Sequence, residues 1–110
     1  MNKADNNGKT PLYIAVTKNH KQIIDKLVEA GADVNKFYYR GWTVIHIAAQ
    51  NGNEQIIAEL VKAGANVDSV NNNGVTPVFI AAFNGHKQAI VRLVELGADI
   101  NLEAKSKDEV

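Results

Sequence analysis

Three histidines, His20, His46 and His86, are the side chains in this sequence best suited to hold a metal or move a proton near neutral pH. No two of them lie four residues apart, the spacing that lets one helix face grip a metal. No nucleophile, base and orienting group converge around them, so structural roles suit all three. The chain has no cysteine, which removes disulfides, thiolate zinc sites and cysteine nucleophiles together. The acids Asp25, Glu29, Glu54, Glu59 and Glu95 are scattered and suit a solvated helix face. The Gly-x-Thr steps at Gly8, Gly41 and Gly74 lack the clustered glycines and lysine of a phosphate loop. The sequence therefore predicts no catalytic residue, no metal ligand and no cofactor.

Charge narrows the partners. Twelve basic and twelve acidic side chains balance to +0, so no long-range field draws in nucleic acid or an anionic membrane. Lys9, Lys18, Lys21 and Lys26, with Arg40 nearby, form at most a weak acidic-partner patch, and a solvated face accounts for them. The first 20 residues show no basic-then-apolar signal pattern. The uncharged stretch from Gly41 to Asn53 is interrupted by Gln, His and Asn, and no segment reads as a bilayer span. These features predict an intracellular protein, cytoplasmic or nuclear.

What positions any binding residue is a repeat. Gly8, Gly41 and Gly74 are 33 residues apart, as are Thr10, Thr43 and Thr76, and Ala15, Ala48 and Ala81. The same register carries Ile24, Ile57, Ile90; Leu27, Leu60, Leu93; Gly31, Gly64, Gly97; and Gln22, Gln55, Gln88. Each copy reads as two short antiparallel helices and a hairpin-like connection. Threonine is a natural N-cap, and Pro11 and Pro77 suit the first helical position, where an N–H has no partner to lose. Asn51-Gly52 breaks the first helix of the middle copy, and Gly64 ends the second. The spacing predicts six helices, about 11–18, 21–30, 44–51, 54–63, 77–84 and 87–96. Such helices are too short to stand alone and must stack. The predicted core holds Leu12, Ala15, Ile24, Leu27, Ile45, Ala48, Ile57, Leu60, Val78, Ala81, Ile90 and Leu93.

These residues resemble the ankyrin repeat, a family with a 33-residue period and a T-P-L-H-x-A signature. The motif stands here as Thr10-Pro11-Leu12-Tyr13-Ile14-Ala15, Thr43-Val44-Ile45-His46-Ile47-Ala48 and Thr76-Pro77-Val78-Phe79-Ile80-Ala81. The resemblance covers about residues 5 to 101. It implies an all-α solenoid in which three helix-turn-helix repeats are joined by β-hairpin-like fingers. The chain divides into repeats of about 5–37, 38–70 and 71–103 and a tail, 104–110, forming one domain. Val44 replaces the motif proline, and Tyr13 and Phe79 replace its histidine, so aromatic packing must compensate in those copies. The resemblance also implies a protein-interaction scaffold that binds through finger tips and the concave face of the first helices. The alternative is a structural fragment of a longer array with no specific partner of its own. A family-known modification, asparaginyl hydroxylation, would fall on Asn35, eight residues after Leu27.

One finger departs from the others. Phe37, Tyr38, Tyr39, Arg40 and Trp42 occupy positions where the third copy carries Val70, Asn71, Asn72, Asn73 and Val75. Tyr, Trp and Arg dominate binding hot spots. Two readings are open: a partner surface, or rings folded back against neighbouring fingers. Tyr38 replaces a turn-holding Asp and fits local structure. The predicted partner-binding set is Tyr39, Arg40, Trp42, Gln50, Asn51, Val75, Phe83 and Asn84. Stacking is expected to align Trp42 with Lys9 and Val75, and Tyr39 with Asn6 and Asn72. Three repeats without evident caps predict marginal stability and weak end-to-end self-association, relieved in part by a helix near Leu102–Lys107.

Overall fold

The computed structural model describes residues 8–102. Six α-helices form three antiparallel pairs: α1 (Pro11–Thr17), α2 (Lys21–Glu29), α3 (Val44–Asn51), α4 (Glu54–Lys62), α5 (Pro77–Phe83) and α6 (Lys87–Glu95). Helices α1, α3 and α5 stack in one row, and α2, α4 and α6 in a second row behind it. There is no strand among the described residues. Five helices end one residue earlier than their spacing suggests; Lys18, Ala30, Ala63, Asn84 and Leu96 serve as C-caps with ψ near zero. Asn6 and most of the expected Leu102–Lys107 helix lie outside the described residues.

The helix starts follow from local chemistry. Thr10 Oγ1 accepts from the Tyr13 N–H at 3.2 Å, and Thr76 Oγ1 from the Phe79 N–H at 3.3 Å, each with proline at the first helical position. The first helices hand over to the second through a left-handed residue: Asn19, Gly52 and Gly85 at φ 59, 71 and 73°. Gly52 is obligatory for a further reason. A Cβ there would lie 2.6 Å from the His86 ring, which covers it from the next repeat.

The core runs along the seam between the rows, and Leu12, Ala15, Ile24, Ile45, Ala48, Ile57, Leu60, Val78, Ala81 and Leu93 are buried in it. Leu27 and Ile90 are only partly buried. The expectation of full burial fails at these two because each needs a neighbouring repeat that is not found among the described residues. Leu60 and Leu93, at the Leu27 position, are covered from the preceding repeat, and Ile24 and Ile57, at the Ile90 position, from the following one.

Candidate functional site

The fingers are short hairpin-like turns. In the third, buried Asn71 holds the turn: its Oδ1 accepts from the Asn73 N–H at 2.9 Å and the Val75 N–H at 3.1 Å. Tyr38 stands at the same place in the middle finger and has no such acceptor. Its backbone N–H donates to the Trp42 carbonyl at 2.8 Å, and its carbonyl accepts from the Gly41 N–H at 2.9 Å. The finger tightens into one 3-10 turn, Tyr39–Gly41, with Arg40 driven to φ 62°. That conformation is uncommon for a side chain larger than Asn. The Tyr38 ring turns back instead and packs tilted against Tyr13, ring centroids 4.6 Å apart, while its hydroxyl meets Thr10 Oγ1. Burial pushes its phenol above the usual range. Tyr38 is therefore a tie between the second finger and the first helix start.

His46 makes the equivalent tie one repeat on. Its Nε2–H donates to the Val75 carbonyl at 2.8 Å, and its Nδ1 accepts from the Thr43 N–H at 3.1 Å. A carbonyl only accepts and a backbone N–H only donates, so these partners fix a neutral ring protonated on Nε2. Burial holds its pKa below the ordinary histidine value. The other two histidines have different placements. His20 is exposed, while His86 donates Nε2–H to the Gln50 carbonyl at 2.9 Å. Among the described residues no group of His, Cys, Asp or Glu could hold a metal ion.

On the concave face two shallow hollows adjoin. One, of about 290 Å³, is lined by Tyr39, Arg40, Gln50 and Asn51, together with Tyr13, Thr17 and Ile47. The other, of about 270 Å³, is lined by Val75, Phe83 and Asn84, with Phe79 and Ile80. Trp42 and Gln50 belong to both. The structure thus brings all eight sequence-predicted binding residues to one face. Tyr39 is 80% exposed and Phe83 83%, whereas Trp42 is half-buried against the core with its ring 5.6 Å from His46. Arg40 lies over the Tyr39 ring at 5.2 Å, within cation–π range.

Two of the eight carry internal bonds. Asn51 Nδ2 reaches the Val16 and Thr17 carbonyls, both at 3.3 Å, which closes the end of α1. Asn84 Nδ2 donates to the Ile80 carbonyl at 2.9 Å. The expected finger alignment holds for Trp42 and Val75, which share a hollow. It changes elsewhere. The Asn72 N–H donates to the Arg40 carbonyl at 2.9 Å, so the fingers meet one residue out of step, and Lys9 sits over the Tyr13 ring at 5.6 Å. Sequence reasoning missed Tyr13 and Phe79 as lining residues. The available signal was that both replace the motif histidine on the concave row.

Asn35 is exposed, yet its carboxamide is engaged at both ends. Nδ2 donates to the Gly64 carbonyl at 2.9 Å, and Oδ1 accepts from the Asn66 N–H at 2.9 Å. It links the first repeat to the second.

The 33-residue period, paired helices and projecting fingers agree with what family comparison finds. A family profile described as Ankyrin repeats (3 copies) matches residues 34–104, and the single Ankyrin repeat profile matches residues 7–37. The chain belongs to the ankyrin repeat family. No curated protein matches it. Ankyrin repeats are generally protein-interaction modules and typically lack enzymatic activity. Among the described residues no helix is long and apolar enough to cross a membrane.

Proposed function

We propose that this chain binds a partner protein through the concave face and the middle finger, using Tyr39, Arg40, Trp42, Gln50, Val75 and Phe83 as contact residues and Asn51 and Asn84 as their frame. One observation carries this reading: two adjoining hollows share Trp42 as a common wall and present Tyr39 and Phe83 almost fully to solvent. The Tyr39 ring is not needed to build its turn, since the third finger closes with Asn71 and small residues, and the Phe83 ring points out from the last residue of α5. An apolar centre bordered by amides and one guanidinium has the make-up of a protein interface. A half-buried indole between two open rings is also where binding energy concentrates.

The test separates binding from folding. Affinity capture from the source cells is run with the wild-type chain and with a Tyr39→Ala/Phe83→Ala double variant. The expected result is a saturable protein partner held by the wild type and lost by the variant, at unchanged melting temperature. A partner held equally by both chains would show that the concave aromatics are not the contact. Asn35 belongs to the same proposal only as a candidate modification site. Intact mass after exposure to an asparaginyl hydroxylase, unchanged at Asn35, counts against it.

A further inference from the structure

The three repeats give an internal comparison at every position. Position 23 is buried in the second and third copies, as Ile56 and Ala89, and half-exposed in the first, where Ile23 is 50% exposed. Ile14 follows the same rule: it is 38% exposed, whereas Ile47 and Ile80 are buried. With Leu27 they form the face that each later repeat presents to the repeat before it. An open hollow of about 550 Å³ lies on that face beside Ile23 and Leu27. At the far end the rule reverses. Val16 and Ala49 are buried under the following repeat, while Ala82 is exposed. Val34 is buried and Val67 partly buried, while Ile100 is 64% exposed. Each end of the stack is therefore one half of an interface that the molecule completes twice inside itself.

The two ends also match in detail. Between the second and third repeats, the His86 ring covers Gly52 and donates to the Gln50 carbonyl. Gly85 and Phe83 stand one repeat beyond Gly52 and Gln50, and His20 stands two repeats before His86. The first repeat thus carries the same imidazole, and the third the same glycine, at φ 73° with open space where a Cβ would be. Between the first and second repeats the pair is different, Asn19 with Asn53, bonded at 3.3 Å. So the outer faces of the first and third repeats repeat the junction between repeats two and three.

We propose that a second copy of this chain docks head-to-tail, its first repeat seated on the third repeat of the copy before it. His20 of the second copy covers Gly85 and reaches the Phe83 carbonyl, while Ile14, Ile23 and Leu27 of the second copy cover Ala82, Ile90 and Ile100. The contact is heterologous and does not close on itself, so association is open-ended. It meets the proposed partner surface only at the Phe83 backbone carbonyl and needs none of the concave side chains.

The test uses wild-type chain and two end variants, Ile23→Glu and Ala82→Glu. Both residues are exposed, so each variant should keep the wild-type helical spectrum and melting curve. Light scattering or sedimentation is measured from about 10 µM to about 1 mM, the range in which weak association becomes visible. The wild-type weight-average mass is expected to rise past two chains. Each variant alone stays at one chain. An equimolar mixture forms a dimer and stops, because one variant keeps the first-repeat face and the other keeps the third-repeat face. If Ala82→Glu melts early, Gly85→Asn replaces it, since Asn19 already occupies that backbone conformation at φ 59°. A wild-type chain that stays monomeric at the highest concentration overturns the proposal. So does a mixture that stays monomeric, or either variant associating alone as the wild type does, which would show that the contact does not join the first-repeat face to the third.

Discussion

Acidification should weaken the fold through His46. The ring is fully buried, with Nε2–H on the Val75 carbonyl and Nδ1 on the Thr43 N–H. A second proton must enter at Nδ1, where the bond from the Thr43 N–H would be lost and only Thr43 Oγ1, 2.9 Å away, could accept it, leaving a charged ring in the core. Burial already lowers the pKa from its ordinary 6.5. The unfolded chain therefore takes up the proton first as pH falls. Stability is complete above 6.5, declines below it, and levels off once pH passes the folded-state pKa. The steepest loss a single group can produce is about 1.4 kcal/mol per pH unit. In a repeat domain of this size that corresponds to a fall in Tm of roughly 4–8 °C per kcal/mol. Urea unfolding followed by far-UV circular dichroism at pH 7.5, 6.5 and 5.5 measures it. His46→Gln supplies the control, because it removes only the buried ring and leaves the rest of the chain, His20 and His86 included, unchanged. That variant should be weaker than the wild type at pH 7.5 by about 1–3 kcal/mol, the cost of disturbing a buried hydrogen-bond pair. Its pH dependence should be flatter. If the two proteins lose stability in parallel on acidification, or if the wild type gains, the ring is not held neutral by its partners and the reasoning is wrong.

Other substitutions test packing and surface separately. Leu60→Ala empties a fully buried site in the middle repeat and should cost ~2–5 kcal/mol in urea unfolding. Gly52→Ala drives a Cβ into the His86 ring, whereas Gly85→Ala meets open space at nearly the same φ. The first should therefore destabilise more than the second, by about 1–3 kcal/mol for the added overpacking. Equal melting temperatures would show that the ring moves aside at no cost. Tyr39→Ala and Phe83→Ala should leave stability within about 0.5 kcal/mol of the wild type, and each should weaken partner binding by about 2 kcal/mol or more if it is a hot spot. Trp42→Ala should lower both binding and Tm, because the indole is half-buried against the core.

Much of this protein is set by its sequence. A 33-residue register recurs in seven or more columns, and no helix pair can bury its apolar stripe without a like neighbour, so stacking of three helical pairs follows from periodicity and length alone. Helix starts were legible for the same local reason: threonine and proline act within one turn of themselves. Three features were not legible, because each depends on contacts between repeats. Burial of Leu27 and Ile90 depends on whether a neighbour exists on the correct side. The obligation for glycine at Gly52 comes from a ring 34 residues further along, His86. The depth of Trp42 was open in the sequence, since an aromatic in a finger can face solvent or fold inward. His46 and Val75 draw the third finger over the second helix start, and that closure half-buries the indole while leaving Tyr39 and Phe83 outside. Local chemistry chose the elements; the fit of one repeat on the next decided which side chains remain available to a partner.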